Sequence, residues 1–313
     1  MVLYEEILKG SRTSLAKGIT LVESTLPEDE KKADVLIRKC LPHSGESIRV
    51  GVTGIPGVGK STFIESFGSL LTKKGKKVAV LSIDPSSEKS RGSILGDKSR
   101  MNNLSANKNA FVRPSPSGGI LGGVTNKTKE CIILCEAAGY NVVLIETVGV
   151  GQSETQVSNL VDFFLLMMIS GAGDELQGIK RGIMEMADAI IINKADGDNI
   201  KDAKITALAY ERSLHLFPIM KNNWVPKVSI CSAIEKKGIN KVWEIIKSHN
   251  LKISSSGWKK KNRNMQNIYW LHTLIKEELG KKQFNTMLVN GKLKDLENEL
   301  IEGKNIYQLL SKL

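Results

Sequence analysis

Glycines, a lysine and a serine at residues 54–61 stand in the order that binds the phosphate groups of a nucleotide. The segment reads Gly-Ile-Pro-Gly-Val-Gly-Lys-Ser, which fits the pattern G-x-x-x-x-G-K-[ST]. Glycines let backbone N–H groups converge on phosphate oxygens, and the start of the following helix adds a favourable dipole. We expect Lys60 to reach the β- and γ-phosphates and the Ser61 hydroxyl to bind Mg²⁺. The predicted phosphate-binding residues are Gly54, Gly57, Val58, Gly59, Lys60, Ser61 and Thr62.

A second motif, about 130 residues after the first, is typical of base selection. Asn193, Lys194 and Asp196 form the pattern N-K-x-D directly after an apolar run. A carboxylate in this position accepts hydrogen bonds from N1–H and the exocyclic amine of guanine, whereas adenine would leave it unpaired. Ser232 and Ala233 match the loop that commonly closes over the guanine from the other side. The two motifs together predict binding of GTP and GDP, with a helix-capping role as the alternative for Asp196.

Acidic residues near the predicted phosphate site are candidates for holding Mg²⁺. Glu146 and Gly149 form E-x-x-G where D-x-x-G is usual, with the glycine N–H sensing the γ-phosphate. The extra methylene of glutamate suggests a contact with Mg²⁺ through water. Asp84 ends the second predicted strand and Asp97 lies in the following loop, with a turn cap and a solvated acid as their respective alternatives. The predicted metal set is Ser61, Asp84, Asp97 and Glu146, and the predicted catalytic set includes Lys60, Asp97 and Glu146.

The residue after that glycine bears on the rate of hydrolysis. Val150 stands where many signalling GTPases carry the glutamine that orients the attacking water. The sequence therefore predicts slow intrinsic hydrolysis, with Gln152 as a candidate substitute.

The elements that must position these motifs alternate between strand-like and helix-like segments. Short apolar runs rich in β-branched residues occur at 48–53, 78–83, 142–145, 163–169, 189–192 and 228–230. Runs that are apolar on both faces are typical of parallel strands covered by helices. The alternation predicts an α/β fold of the P-loop NTPase type, with a mostly parallel, doubly wound sheet flanked by helices. Inside the long segment 85–139 we expect a short helix and a strand.

Helical segments flank this central part. We predict an N-terminal helical extension at 1–42, a P-loop GTPase domain at 43–253 and a C-terminal helical arm at 254–313. The sequence Ser-Ser-Ser-Gly at 254–257 predicts a linker. Because the flanking segments are too short for cores of their own, we expect them to pack on the central domain or on a second copy of the chain.

Composition excludes several classes of protein. The chain has 313 residues, of which 41% are hydrophobic and 25% charged, so it is neither disordered nor fibrous. Its longest apolar stretch, 160–169, contains Asp162 and is too short to span a bilayer. With early acidic residues and no long apolar segment at the start, we expect no signal peptide, no membrane association and a cytoplasmic location. The four cysteines suit a reducing compartment; Cys131 and Cys135 are expected to be core residues.

Several longer motifs resemble one family, the methylmalonyl-CoA mutase-associated GTPases known as the MeaB, ArgK and MMAA family. The resemblance extends over essentially the whole chain, and its long motifs are far more specific than a phosphate-binding loop alone. One small departure is Arg91-Gly92, where the family tends to have two glycines. The matching stretches include residues 51–62, 84–87, 92–98, 146–154 and 171–180.

The resemblance implies a GTPase chaperone for an adenosylcobalamin-dependent acyl-CoA mutase, with a cobalamin adenosyltransferase as a further partner. Such proteins gate the delivery of intact cofactor and the removal of damaged cofactor. The family is homodimeric, and its terminal helices contribute to the dimer. In the family, segment 171–180 resembles a third switch facing the mutase, in which Lys180 would help to activate hydrolysis. A solvated charged turn is the alternative for Lys180.

Other ligands and functions have weaker support. The D-x-H-x-x-G signature of a cobalt-ligating histidine is absent, so we expect no directly bound cobalamin. A GTP- or ATP-dependent phosphotransferase of a transport system is the main alternative function. A net charge of +12 and the basic run 259–263 motivate a nucleic-acid-binding alternative. Since that run has Trp258 as its only nearby aromatic, we expect a solvated linker and no nucleic-acid partner.

Overall fold

Seven parallel strands form one sheet in the part of the chain that the computed structural model describes, residues 2–83, 101–114, 121–147, 153–171, 181–310 and 312–313. The strands are β1 (Ile48–Gly54), β2 (Val78–Ile83), β3 (Ala110–Pro114), β4 (Val142–Thr147), β5 (Phe163–Ile169), β6 (Ala189–Asn193) and β7 (Lys227–Ile230). Their order across the sheet is β3-β2-β4-β1-β5-β6-β7. The predicted fold class is confirmed, and each of the six predicted strands is present within two residues of its expected ends.

Helices precede, connect and follow the strands. The helices before the sheet are α1 (Val2–Leu8), α2 (Arg12–Glu23) and α3 (Pro27–Cys40). Those between strands are α4 (Lys60–Lys73), α5 (Asn102–Ala106), α6 (Leu121–Ala137), α7 (Ser153–Ser158), α8 (Arg181–Met186) and α9 (Ile200–Leu214). Those after the last strand are α10 (Ile239–Ser255), α11 (Trp258–Val289), α12 (Lys292–Ile301) and α13 (Ile306–Leu310). The expected helix and strand in the long segment 85–139 are α5 and β3, with α6 in addition.

The N-terminal helices pack against the central domain. Gly18 in α2 lies so close to its neighbours that an added Cβ would stand 3.0 Å from Ile7 Cδ1 in α1. The same Cβ would stand 3.3 Å from Leu36 Cδ2 in α3 and 3.4 Å from Leu134 Cδ1 in α6. A residue without a side chain therefore lets four helices meet. The buried side chains of the terminal helices and the sheet form one continuous hydrophobic core.

The predicted linker at 254–257 is wrong. Helix α10 continues to Ser255, and α11 begins at Trp258, so only two residues separate the helices. Gly257 has a φ of 72°, in the left-handed region, which glycine adopts without steric cost. Gly257 therefore supplies the left-handed residue between α10 and α11, and the expected boundary at 253/254 falls inside α10.

The basic run at 259–263 is likewise not a solvated linker. It forms the first turns of α11, and Arg263 donates two hydrogen bonds to Asp162, at 2.9 and 2.7 Å. Arg263 also donates to the carbonyls of Gly45 and Ser47. Its side chain is largely buried, as is that of Asp162. The basic residue therefore attaches the C-terminal arm to the segments immediately before β1 and β5.

A second buried ion pair lies beside the first. Arg49 donates to both carboxylate oxygens of Glu136 at 2.9 and 2.8 Å, and Ser47 Oγ donates to the same carboxylate at 2.5 Å. Burial by itself raises the pKa of Glu136, but the Arg49 charge and these hydrogen bonds outweigh it and lower the pKa to about 2. Glu136 is therefore ionised at neutral pH, and the pair links the start of β1 to α6.

Two further expectations concern the cysteines and the membrane. Cys40, Cys131, Cys135 and Cys231 are buried in the core, and burial raises the thiol pKa of each. Within the described ranges, no helix combines the length and the apolar character needed to cross a membrane.

We predict that Glu136→Gln lowers the free energy of unfolding by about 3 kcal/mol at neutral pH, because Arg49 loses its buried counter-charge. The folded pKa of about 2 lies below the ordinary value of 4.5. The stabilisation is therefore complete above the ordinary value and is lost as the pH falls through about 2. Urea denaturation at a series of pH values measures this, and the wild type and the variant should converge in acid.

The matched control is Glu244→Gln, since Glu244 pairs with Lys247 at the exposed surface. There we expect a loss below about 1 kcal/mol. Equal losses in the two variants, or a Glu136→Gln effect that does not change with pH, would contradict the assignment of a buried ionised pair.

Candidate nucleotide-binding site

The predicted phosphate and base motifs meet at the carboxyl ends of the strands. Residues after β1, β4, β6 and β7 lie along one edge of the sheet, because all four strands run in the same direction. In open α/β sheets this is the edge at which ligands bind. The segments that the sequence separates by more than a hundred residues are therefore brought into one cleft.

The phosphate-binding loop requires glycine at two close approaches. A Cβ on Gly54 would lie 2.4 Å from the carbonyl oxygen of Met167 in β5. Gly59 has a φ of 92°, and a Cβ there would lie 2.8 Å from Asn193 Nδ2. Gly59 also caps the N-terminus of α4, which begins at Lys60. The positive end of this helix is thus directed to the mouth of the loop.

Lys60 is folded onto the loop that precedes it. Its Nζ donates to the carbonyl oxygens of Gly54 at 2.9 Å and Ile55 at 3.2 Å, and the side chain is buried. Val58 N–H donates to the Ile55 carbonyl at 3.3 Å. These contacts hold the ammonium group inside the curve of the loop, beside the place where its backbone N–H groups converge.

The first residue after Lys60 contacts the predicted acid. Ser61 Oγ donates to Glu146 Oε1 at 2.8 Å, which joins the start of α4 to the end of β4. Thr147 Oγ1 donates to Thr53 Oγ1 at 2.9 Å and fixes the ends of β4 and β1 together. A hydroxyl and a carboxylate oxygen are the ligand types that Mg²⁺ prefers, so this pair fits the predicted metal site. Among the described residues, no cluster of three or more His, Cys, Asp or Glu side chains forms a metal site by itself.

Asn193 connects the phosphate loop to the base loop. Its Nδ2 donates to the Val58 carbonyl at 2.8 Å, and its Oδ1 accepts from the Ala233 N–H at 3.1 Å and from Cys231 Sγ at 3.4 Å. The side chain is buried at the end of β6. The sequence predicted Asn193 as a binding residue but did not show that one amide satisfies groups from two other segments.

Asp196 faces the cleft. It occupies the N-cap position of a short 3₁₀ helix, yet its side chain makes no capping hydrogen bond. Its Oδ2 instead accepts a 2.5 Å hydrogen bond from Ser232 Oγ, which in turn accepts from the Glu235 N–H. Lys194 has a φ of 58°, so the backbone turns sharply between Asn193 and Asp196. The alternative role of Asp196 as a side-chain helix cap is therefore wrong.

A cleft of about 40 Å³ lies between the phosphate loop and the base loop. Its walls include Ile234, which the sequence analysis missed and whose side chain is 75% exposed. The signal was available, because Ile234 follows Ala233 directly in the loop expected to cover the base. The lining residues are Gly59, Thr62, Asn193, Lys194, Asp196, Ala233 and Ile234.

Four predicted site residues lie outside the described residues. They are Asp84, Asp97, Gly149 and Lys180, and the expectations for them stay predictions. The same holds for Val150 and Gln152.

We predict that Asn193→Ala weakens GDP binding by about tenfold or more, because the phosphate and base loops lose their shared hydrogen bonds. Titration with a fluorescent GDP analogue measures the change. The matched control is Asn141→Ala, at the opposite edge of the sheet, where Asn141 accepts from the Lys77 N–H. We expect GDP affinity to be retained in that control, and retained affinity in Asn193→Ala would show that the bridge has no part in binding.

Comparison with known proteins identifies the family. The family model described as methylmalonyl Co-A mutase-associated GTPase MeaB matches residues 15–287. The GTPase ArgK of Escherichia coli (strain K12) is 48% identical over 271 residues, covering 87% of this chain and 82% of that protein. The mitochondrial methylmalonic aciduria type A homolog of Mus musculus is 46% identical over 287 residues, covering 88% of this chain and 69% of that protein.

A solved structure agrees with the sequence relatives. The crystal structure described as a LAO/AO transport system kinase is 38% identical to this chain and superposes with a TM-score of 0.77. The match covers 99% of this chain and 95% of the other. Since the family model and the relatives both span most of the sequence, the chain belongs to the MeaB family of P-loop GTPases.

Proposed function

We propose that this chain is a GTP-hydrolysing chaperone that gates adenosylcobalamin loading, and protection or reactivation, of a cobalamin-dependent acyl-CoA mutase. Methylmalonyl-CoA mutase is the first candidate, because the matching family model carries its name. The observation that supports the chemistry best is the joint placement of Ser61, Glu146, Asn193 and Asp196 at one edge of the sheet.

Guanine selection is assigned to the Asp196 carboxylate. A guanine base presents two N–H donors to a carboxylate, whereas adenine presents an acceptor at N1. Ser232 already donates to Asp196 and would hold the carboxylate in place while the base binds. The exposed Ile234 side chain supplies apolar surface at the same cleft.

Phosphate binding and hydrolysis are assigned to the phosphate loop and the adjacent acids. Lys60 would exchange its contacts with the Gly54 and Ile55 carbonyls for phosphate oxygens. Ser61 and Glu146, joined by Asp84 and Asp97, would hold Mg²⁺, which neutralises charge on the phosphates when it is bound. Glu146 would then respond to the loss of the γ-phosphate through its contact with Mg²⁺.

In this proposal, fast GTP hydrolysis requires the mutase to be bound. A chain with Val150 in place of a water-orienting glutamine is expected to hydrolyse GTP slowly by itself. Lys180 would supply positive charge to the transition state once the mutase is bound. Gly149 would sense the γ-phosphate and change the conformation of neighbouring segments between the GTP and GDP states.

The proposal also includes a homodimer, built in part from the terminal helices, and a cytoplasmic location. Cobalamin would remain with partner proteins, among them an adenosyltransferase, and would not bind this chain directly. Two relatives are named methylmalonic aciduria type A homologs, and these names support the choice of methylmalonyl-CoA mutase as the first candidate.

A second candidate function is a GTP- or ATP-dependent phosphotransferase of a transport system. The description of the similar crystal structure as a LAO/AO transport system kinase favours it. The two candidates differ in the fate of the γ-phosphate, which appears as free phosphate in a GTPase and on an acceptor in a kinase.

We predict that Asp196→Asn changes base preference from GTP towards xanthosine triphosphate, because the amide can donate to the extra carbonyl of xanthine. We expect GTP affinity to fall by about tenfold to a hundredfold, the effect of losing charge-assisted hydrogen bonds. Competition titrations with both nucleotides measure the preference. The matched control is Asp198→Asn, an exposed acid two positions later. Unchanged preference in Asp196→Asn would remove Asp196 from the base site.

We predict that purified mutase accelerates GTP turnover by this chain, whereas turnover by the chain alone is slow. Phosphate release from γ-labelled GTP, with and without each candidate acyl-CoA mutase, measures the effect. Lys60→Ala is the control for contaminating activity, since it should abolish productive nucleotide binding. Acceleration by none of the mutases would contradict the chaperone proposal, and stable label on a protein acceptor would favour the phosphotransferase.

A further inference from the structure

A second cavity, of about 600 Å³, lies at the opposite edge of the sheet from the nucleotide-binding cleft. It is enclosed by the start of β1, by α6 and α11, and by the loop between α12 and α13. The seven residues of β1 separate the two sites by about 20 Å. Five basic residues line the cavity, and Glu302 is the one acidic residue in its described lining. The basic residues are Arg49, Lys129, Lys260, Arg263 and Lys304.

Three of the five positive charges already have counter-charges. Arg49 is paired with Glu136, and Arg263 is paired with Asp162. Lys304 is paired with Glu299 at 3.1 Å. Lys129 and Lys260 form no ion pair with a described carboxylate, although Glu136 and Asp162 lie near enough to act on Lys129 through their charge.

Lys129 is the unusual member of the set. The residue is only 4% exposed, and its side chain lines the cavity. Its Nζ lies 5.7 Å from the centre of the Trp270 ring, a cation–π contact. Burial, and then the charge of Arg49, lower the pKa of Lys129 well below its ordinary value, although the charges of Glu136 and Asp162 act in the opposite direction. A largely buried amine at a cavity wall gains a favourable charge partner when an anionic ligand binds beside it.

We propose that this cavity binds a small phosphate-bearing anion, with Lys129 as its buried charge partner and Lys260 at the rim. The volume is in the range of small-molecule sites. Lysine ammonium groups suit phosphate as compact point charges, and the amides of Asn264 and Asn267 also line the cavity. This site is separate from the nucleotide cleft, and the inference does not depend on the mutase proposal.

The test is calorimetric titration of the full chain with inorganic pyrophosphate, in saturating GDP so that the phosphate loop is occupied. We expect the wild type to bind pyrophosphate and Lys129→Met to bind it at least tenfold more weakly. The matched control is Lys127→Met, because Lys127 lies on the same helix, pairs with Glu130 and lines a different cavity. Its affinity for pyrophosphate should equal that of the wild type.

Thermal unfolding provides a readout that distinguishes binding from structure. Without pyrophosphate, Lys129→Met should melt at a higher temperature than the wild type, because an apolar side chain replaces an amine whose charged form is disfavoured by burial. Pyrophosphate should raise the melting temperature of the wild type but not that of the variant. If Lys129→Met fails to fold, Lys260→Ala takes its place, and a several-fold loss of pyrophosphate affinity is expected.

Two results would overturn the proposal. One is the absence of pyrophosphate binding to the GDP-saturated wild type, and the other is equal binding by the wild type and Lys129→Met. If the wild type binds no pyrophosphate, the oligomeric state of Lys129→Met is measured next, and it is compared with the wild type for a change. Such a change would assign the cavity to an acidic group of a second copy of the chain.

Discussion

One buried amide fixes the distance on which the nucleotide site depends. Asn193 at the end of β6 donates to the Val58 carbonyl and accepts from the Ala233 N–H, so the phosphate loop and the base loop share one rigid contact. Gly59 completes this arrangement, because any side chain there would collide with the same amide. A nucleotide that binds at both ends therefore meets loops whose separation is already set, which reduces the entropy lost on binding.

Two buried ion pairs lie at the opposite edge of the sheet. The pairs Arg49–Glu136 and Arg263–Asp162 join the starts of β1 and β5 to α6 and to the C-terminal arm. Buried ion pairs of this kind stabilise weakly overall but are costly to break, so they favour one arrangement of the arm over others. The arm also forms one wall of the cavity that Lys129 lines.

The strands and the phosphate loop could be predicted from the sequence. Apolar runs and glycine spacing are patterns within a few neighbouring residues. The role of Gly257 could not be predicted, because Ser-rich sequence is typical of linkers and the left-handed turn depends on how α10 and α11 pack. The Arg263–Asp162 pair joins residues 101 positions apart, which no local pattern indicates. Ile234 was missed although it follows Ala233 directly, because the loop motif used for the prediction ends at Ala233.

Family membership and fold support a triphosphate site, and base selection by Asp196 is the central claim that chemistry must test. The most direct measurement is the equilibrium affinity of the purified chain for GTP and for ATP, by calorimetry under identical conditions. The account predicts that GTP binds at least tenfold more tightly, because only guanine offers two donors to a carboxylate. Equal affinities for the two nucleotides, or no binding of either, would contradict it.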